Sequence, residues 1–156
     1  MLKIGDKAPK FTLLGITEGG EEREFNLSDF LGQKVIIYFY PKDNTPGCTT
    51  EACDFRDNYE KFKEAGYQIL GISPDSLKSH LKFQQKHGLS FPLLSDPEKE
   101  ISLKWGAYGE KKMYGKVRMG IIRSTFVVDE EGKIEKAYYN VRAKGHVERI
   151  LRELGL

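Results

Sequence analysis

Two cysteines, Cys48 and Cys53, lie five positions apart in this chain of 156 residues. The preceding segment, residues 35–40, contains only β-branched and aromatic residues, which predicts a strand buried on both faces of a sheet. Pro41 ends this strand because proline cannot donate a hydrogen bond to a sheet ladder. The cysteines therefore follow a connection at the end of a buried strand.

A helix is predicted over residues 46–65, beginning just before Cys48. Thr45 suits the N-cap and Pro46 suits the first helical position, so Cys48 is third in the helix. The first turn of a helix has unpaired N–H groups and the positive end of the helix dipole, which favour a thiolate over a thiol. Glu51, three residues later, shares that helix face. The pattern predicts a nucleophilic sulfur at the carboxyl edge of an α/β sheet, where open sheets place their sites.

A disulfide between Cys48 and Cys53 conflicts with this helix. Residues five apart on an ideal helix have Cα atoms about 8.6 Å apart, and cysteines more than about 7 Å apart cannot be bridged without backbone movement. A permanent bridge would prevent the helix that the capping residues encode. A bridge that forms and breaks with local unfolding is the hypothesis that fits both features.

A purely structural role for Cys48 is the alternative, because cysteine is often a small buried hydrophobe. The helix has an apolar stripe with 4-3-4-3 spacing, made of Cys48, Ala52, Phe55, Tyr59 and Phe62. The cap and the strand end favour a reactive Cys48 over this alternative. Cys53 lies off the stripe, so burial explains it poorly.

These residues resemble a known active site. The segment Pro41-x-x-x-Thr45-x-x-Cys48 resembles the active-site motif of the peroxiredoxins. Residues 47–53 are similar to the subgroup named for the bacterioferritin comigratory protein, whose resolving cysteine sits five residues after the peroxidatic one. Residues 123–126, Arg-Ser-Thr-Phe, resemble the family's second motif, which contributes an active-site arginine. The resemblance runs over nearly the whole chain.

The order of predicted elements indicates an α/β protein, and the resemblance implies a thioredoxin-like fold. That fold has a central mixed β-sheet flanked by helices, an N-terminal hairpin and an inserted helix, here in a single domain over residues 1–156. The resemblance also implies an antioxidant thiol peroxidase that reduces hydrogen peroxide and organic hydroperoxides, with no cofactor and no metal. A Cys48 sulfenic acid would be resolved by Cys53, and thioredoxin or a similar dithiol reductant would reduce the disulfide.

The resemblance assigns further site residues. Thr45 and Gly47, with the backbone at the helix start, would bind the peroxide, and Pro41 would shape the pocket. Arg123 would stabilise the Cys48 thiolate and the polarised peroxide, although sequence spacing alone does not show that the two meet and fits an ordinary ion pair equally well. Glu51 is a secondary candidate, since a surface position on the helix is equally compatible with the sequence.

Two other functions remain open at this point. A thiol–disulfide oxidoreductase acting on proteins would share the fold and a helix-start thiol, but it would use a Cys-x-x-Cys spacing that this sequence lacks. A redox sensor or holdase would signal through the Cys48–Cys53 disulfide without turnover. It would not need the complete set of motifs.

Composition gives little sign of other partners. The chain has 25 basic and 23 acidic side chains, a net charge of +2, which suggests no nucleic-acid partner. No secretory signal or membrane-length apolar run is recognisable, so we expect a cytoplasmic protein with no membrane partner. The resemblance implies a monomer or a weak homodimer. A basic cluster is expected to be a solvated loop; it consists of Lys111, Lys112, Lys116 and Arg118.

The remaining pattern predicts the other elements of the fold. His80 and His87 share one face of a helix ending near residue 87, and we expect them to face solvent rather than bind zinc. Strands are predicted over 11–14, 24–27, 67–73, 91–94, 124–129 and 133–139, a helical turn over 28–31, helices from 96–97 to about 105 and from 145 onward, a turn over 15–22 and a loop over 106–120.

Overall fold

A mixed sheet lies at the centre of the computed structural model, which describes residues 1–156 apart from the side chain of Met113. The strands in chain order are β1 Thr12–Ile16, β2 Glu22–Asn26, β3 Lys34–Phe39, β4 Tyr67–Ser73, β5 Leu93–Ser95, β6 Tyr108–Met113, β7 Lys116–Ile121, β8 Ser124–Val128 and β9 Ile134–Tyr138. The α-helices are α1 Pro46–Glu64, α2 Leu77–His87, α3 Glu100–Lys104 and α4 His146–Glu153, and a 3-10 turn covers Leu27–Phe30.

Seven strands make up the central sheet, in the order β2-β1-β5-β4-β3-β8-β9. β3 pairs parallel with β4 and antiparallel with β8, so it lies in the interior of the sheet. Its alternating side chains are buried in two different clusters: Ile36 and Tyr38 pack with α1, α2 and α4, whereas Ile37 and Phe39 pack with α3 and the N-terminal segment. The prediction of a strand buried on both faces is therefore confirmed.

Helix α1 begins where the capping residues predict. Pro46 is its first residue, and Thr45 has the extended backbone of an N-cap, although its hydroxyl makes no bond to the helix. The predicted apolar stripe is buried, and Phe55 stacks on Tyr38 of β3 with ring centroids 4.7 Å apart. This packing holds the start of α1 over the end of the central strand.

The prediction of a loop over residues 106–120 is wrong, because β6 and β7 form an antiparallel hairpin there. Tyr114 and Gly115 make its two-residue turn, and both have positive φ, 53° and 75°, as a type I′ turn requires. Most residues of the hairpin are exposed or half-buried, so its strands lack the alternation of apolar and polar residues that marks a strand in a sequence.

Other predicted boundaries shift by a few residues. β1 extends to Ile16 and β2 starts at Glu22, which shortens the predicted turn, and β5 starts at Leu93 rather than at residue 91. α3 starts at Glu100 rather than at residue 96 or 97, because the Asp96 carboxylate accepts bonds from the Ser102 N–H and hydroxyl, both 2.8 Å, and closes a preceding turn. Within the described part of the chain, no helix has the length and apolar character needed to cross a bilayer.

Candidate active site

Cys48 is the third residue of α1, and its side chain is buried, with 1% of the residue exposed. The Nη2 atom of Arg123 donates to the Cys48 Sγ over 3.3 Å. Gly47 permits this approach, because a Cβ atom there would lie 3.1 Å from the same Nη2. The structure therefore brings together two residues that the sequence could relate only through a family resemblance.

Arg123 occupies the short connection between β7 and β8, where its carbonyl accepts a bond from the Val141 N–H at 3.0 Å. Its second terminal nitrogen, Nη1, lies 2.6 Å from the Oε1 of Glu51. Glu51 is 0% exposed, so a surface position for this residue is excluded. One guanidinium thus bridges the sulfur and the carboxylate, both on the buried face of α1.

The charges of this cluster shift one another's protonation. Burial raises the pKa of Glu51 to about 7, even though Arg123 acts in the opposite direction. Burial lowers the pKa of Arg123, but Glu51 and the Cys48 sulfur more than offset this, and the net shift is upward. Arg123 therefore remains a cation beside the sulfur, whereas the charge of Glu51 depends on pH near neutrality.

Thr45 and Pro41 lie on the loop between β3 and α1, and both are half-buried. The Thr45 hydroxyl donates to the Lys42 carbonyl over 2.8 Å. Because its hydrogen is engaged there, the hydroxyl oxygen is left to accept a hydrogen bond from a ligand. Asn44, next to Thr45, has a left-handed backbone with φ 61°.

Cys48 and Cys53 are both free thiols, and α1 continues unbroken through the two positions. Cys53 is half-buried, in contrast to the buried Cys48. The structure thus shows the reduced, fully helical arrangement.

Comparison with known proteins identifies this arrangement. Residues 4–137 match the AhpC/TSA family. The chain belongs to that family. Peroxiredoxin Bcp of Bacillus subtilis is 48% identical over 153 residues, which cover 98% of this chain and 95% of that protein.

Solved structures of peroxiredoxins support the same family assignment. A cysteine-to-serine mutant of Xylella fastidiosa PrxQ superposes with a TM-score of 0.88 at 36% identity, covering 99% of this chain and 96% of that one. The Xanthomonas campestris bacterioferritin comigratory protein superposes with a TM-score of 0.82 at 42% identity, covering 92% of this chain and 90% of that one. That protein was solved as trapped intermediate/ligand complexes that concern its alkyl peroxide reduction activity.

The predicted thioredoxin-like α/β fold and enzyme class are confirmed by these relationships. This chain is a peroxiredoxin of the Bcp group, a thiol peroxidase that acts on peroxides with a thiol reductant.

The peroxiredoxin also contains buried polar residues near the site that sequence reasoning missed. His80, predicted to face solvent, is 0% exposed, and its Nδ1 lies 2.8 Å from Oδ2 of the buried Asp43. Its burial depends on a partner 37 residues away, which the local pattern does not reveal. The one available signal is that His80 lies three residues before Phe83, a buried residue on the same face of α2. His87 is half-buried, with its ring edge-on to Phe83.

His146 and Lys111 also lie near the site. The Nε2 of His146 lies 2.8 Å from the Thr125 hydroxyl, and burial, with help from Arg149 and Arg123, lowers the pKa of His146 to about 4. Lys111 is half-buried, whereas the other members of the predicted basic cluster are exposed. Burial and Arg123 lower the pKa of Lys111, while the Cys48 sulfur acts in the opposite direction.

Proposed function

We propose that this peroxiredoxin reduces hydrogen peroxide and alkyl hydroperoxides through a Cys48 sulfenic acid and an intramolecular Cys48–Cys53 disulfide, and that thioredoxin recycles it. The observation that carries the proposal is the 3.3 Å contact between Arg123 Nη2 and Cys48 Sγ at the start of α1. A guanidinium and a helix N-terminus both stabilise negative charge on that sulfur.

In the first step, the Cys48 thiolate attacks the terminal oxygen of the peroxide. An S–O bond forms and the O–O bond breaks, so the sulfur is oxidised to a sulfenic acid while the peroxide is reduced. The leaving oxygen takes up a proton and departs as water or an alcohol. Arg123 stabilises the charge that develops on that oxygen, because its donors are already fixed beside the sulfur.

Substrate binding in this proposal uses the loop before α1. The Thr45 oxygen accepts a hydrogen bond from the peroxide O–H, since the Thr45 hydrogen is engaged by the Lys42 carbonyl. The N–H groups at Gly47 and Cys48 orient the second oxygen. Pro41 covers the pocket and limits the access of water to the sulfenic acid. Alkyl peroxide reduction by the Xanthomonas relative supports the inclusion of alkyl hydroperoxides.

In the second step, the first turns of α1 unwind and the Cys53 sulfur attacks the Cys48 sulfenic acid. An S–S bond forms, the S–O bond breaks, and water leaves. Unwinding is needed because positions five apart on a helix are about 8.6 Å apart, too far for a disulfide.

Thioredoxin supplies the two electrons that close the cycle. Its dithiol reduces the disulfide by thiol–disulfide exchange, and α1 refolds around two free thiols. Such a cycle suits the cytoplasm, where dithiol reductants keep protein thiols reduced.

Steady-state peroxide consumption with thioredoxin tests the complete cycle. The Cys48→Ser variant should show no turnover, whereas Cys53→Ser should consume one equivalent of peroxide and then stop. Thr50→Ser, an exposed position on the same helix, is the matched control and should turn over normally. Turnover by Cys48→Ser at the wild-type rate would refute the proposed function.

A further inference from the structure

The loop that precedes Cys48 is fastened by a buried carboxylate. Asp43 is 5% exposed, and its side chain makes three hydrogen bonds. The Tyr40 hydroxyl donates to Oδ1 over 2.6 Å, and the Ser79 hydroxyl and His80 Nδ1 lie 2.8 Å from Oδ2. These partners come from the end of β3 and from α2, so Asp43 connects the loop to two separate elements.

Hydrogen bonds at both ring nitrogens fix the orientation of His80. The His80 Nε2 lies 2.9 Å from the Leu94 carbonyl oxygen, which can only accept, so Nε2 carries a hydrogen. Nδ1 faces a carboxylate oxygen that already accepts from Ser79. The two ring nitrogens are thus held from opposite sides, by the Leu94 carbonyl and by the Asp43 carboxyl group. The arrangement is a fully buried, hydrogen-bonded Asp43–His80 pair.

The loop backbone has a second attachment at the same point. The Asp43 N–H donates to Oδ2 of Asp75 over 2.7 Å, and that oxygen also accepts from the Ser73 hydroxyl over 2.7 Å. Ser73 ends β4 and Asp75 lies between β4 and α2. The side chain and the backbone of Asp43 are therefore both held by elements outside α1.

The attachments of Asp43 hold the loop that precedes α1, whereas the segment that must unwind is the start of α1 itself. Disulfide formation in the proposed cycle unwinds α1 from its first turn, whereas β3, β4 and α2 can stay in place. Asn44, with its left-handed φ of 61°, is the residue between Asp43 and Thr45. The Asp43–His80 pair therefore keeps the start of the loop in place, so that Thr45 and Cys48 can return to their positions when α1 refolds.

From this geometry we infer that Asp43 and His80 act as one positioning pair for peroxide reduction. The pair holds the loop of residues 41–45 in its reactive position through each cycle of unwinding and refolding, and it touches neither the substrate nor the sulfur. This inference rests on the proposed function. Displacement of a reacting group by about 1 Å can cost about 100-fold in rate, so loss of the pair should slow the oxidation of Cys48.

The test compares Asp43→Asn, His80→Gln and the double variant in the full chain. Each single variant should lower the second-order rate constant for Cys48 oxidation by hydrogen peroxide by about 10- to 100-fold. The double variant should be no slower than the slower single variant, because both changes remove one interaction. Reduction of the preformed disulfide by thioredoxin should stay within about twofold, since the exchange step does not use the peroxide-binding loop. His87→Gln, on the same helix, is the matched control and should leave the oxidation rate unchanged.

Nitrogen-15 spectra of the wild-type histidines give a readout that does not depend on folding of the variants. We expect a His80 ring N–H that exchanges slowly with solvent, because the ring is buried and both of its nitrogens are hydrogen-bonded. A His80 ring N–H that exchanges freely with solvent, unchanged oxidation rates in folded single variants, or losses that multiply in the double variant would overturn the inference. If wild-type Cys48 itself fails to react with peroxide, the proposed function fails, whatever the state of His80.

Discussion

The guanidinium of Arg123 reaches Cys48, 75 positions earlier in the chain, with Nη2 3.3 Å from the Sγ atom. The same guanidinium holds Glu51 through Nη1 at 2.6 Å. A planar fork can make both contacts at once, whereas a lysine ammonium is a single point charge. This shared contact, rather than the cysteine alone, distinguishes the site from an ordinary buried thiol.

Replacing Arg123 by lysine should therefore be harmful despite the conserved charge. Arg123→Lys should lower the second-order rate constant for Cys48 oxidation by hydrogen peroxide by about 100-fold or more, as loss of a preorganised donor does elsewhere. Rapid-quench mass spectrometry under pseudo-first-order conditions measures this constant. Arg142→Lys, at an exposed position, should react like the wild type, and a normal rate in Arg123→Lys would contradict the role given to the fork.

Glu51 should make stability fall as pH rises through the acidic range. Its pKa is about 7 in the folded protein and about 4.5 in the unfolded chain, so between these values the folded state holds a proton that the unfolded state has lost. Folding stability attributable to Glu51 declines across this window, by on the order of 3 kcal/mol, and then levels off above pH 7.

Urea denaturation of wild type and Glu51→Gln between pH 5 and pH 8 isolates this contribution. As pH rises across this window, the unfolding free energy of wild type should fall relative to that of Glu51→Gln. A difference that stays constant with pH would show that Glu51 is ionised throughout.

His146 should make folding stability fall as pH drops, which is opposite to the effect of Glu51. Its pKa is about 4 in the folded protein and 6.5 in the unfolded chain, so between these values the unfolded state binds the extra proton. Stability should therefore fall as pH drops from 6.5 toward 4, by up to about 3 kcal/mol. Thermal melts of His146→Gln should lose less stability between pH 7.5 and pH 5 than those of wild type. Equal losses would mean that His146 accepts a proton without unfolding.

Oxidation should loosen α1 locally. When the Cys48–Cys53 disulfide forms, amide hydrogens of residues 46–53 should lose protection from exchange, because the bridge is incompatible with helical geometry there. Amides of β3, buried in the sheet, should keep their protection. Hydrogen exchange of the reduced and oxidised proteins compares the two regions, and unchanged protection over 46–53 would rule out the unwinding step.

Local signals predicted the central part of the fold and the position of Cys48. The run of β-branched and aromatic residues before Pro41 gave the correct central strand, and Thr45 with Pro46 gave the correct helix start. These signals depend on neighbours in the chain. The contact with Arg123 depends on how β8 lies against β3, so only the family resemblance indicated it.

Two failed predictions concern features that the local residue pattern does not mark, each for its own physical reason. The β6–β7 hairpin is largely exposed, so its residue pattern resembles a loop, and Tyr114 is an unusual residue for a turn with positive φ. His80 follows Lys78 and Ser79, a polar environment in sequence, yet Asp43 makes its burial favourable. Neither feature can be read from hydrophobic periodicity.

The most direct test of the central claim is intact mass and thiol titration after one equivalent of hydrogen peroxide, in wild type and in Cys53→Ser. We predict that wild type loses both thiols and about 2 Da within seconds, and that Cys53→Ser gains about 16 Da as a sulfenic acid on Cys48. Two thiols that persist for minutes in the wild-type protein would contradict the account, and Cys48 would then be an ordinary buried cysteine.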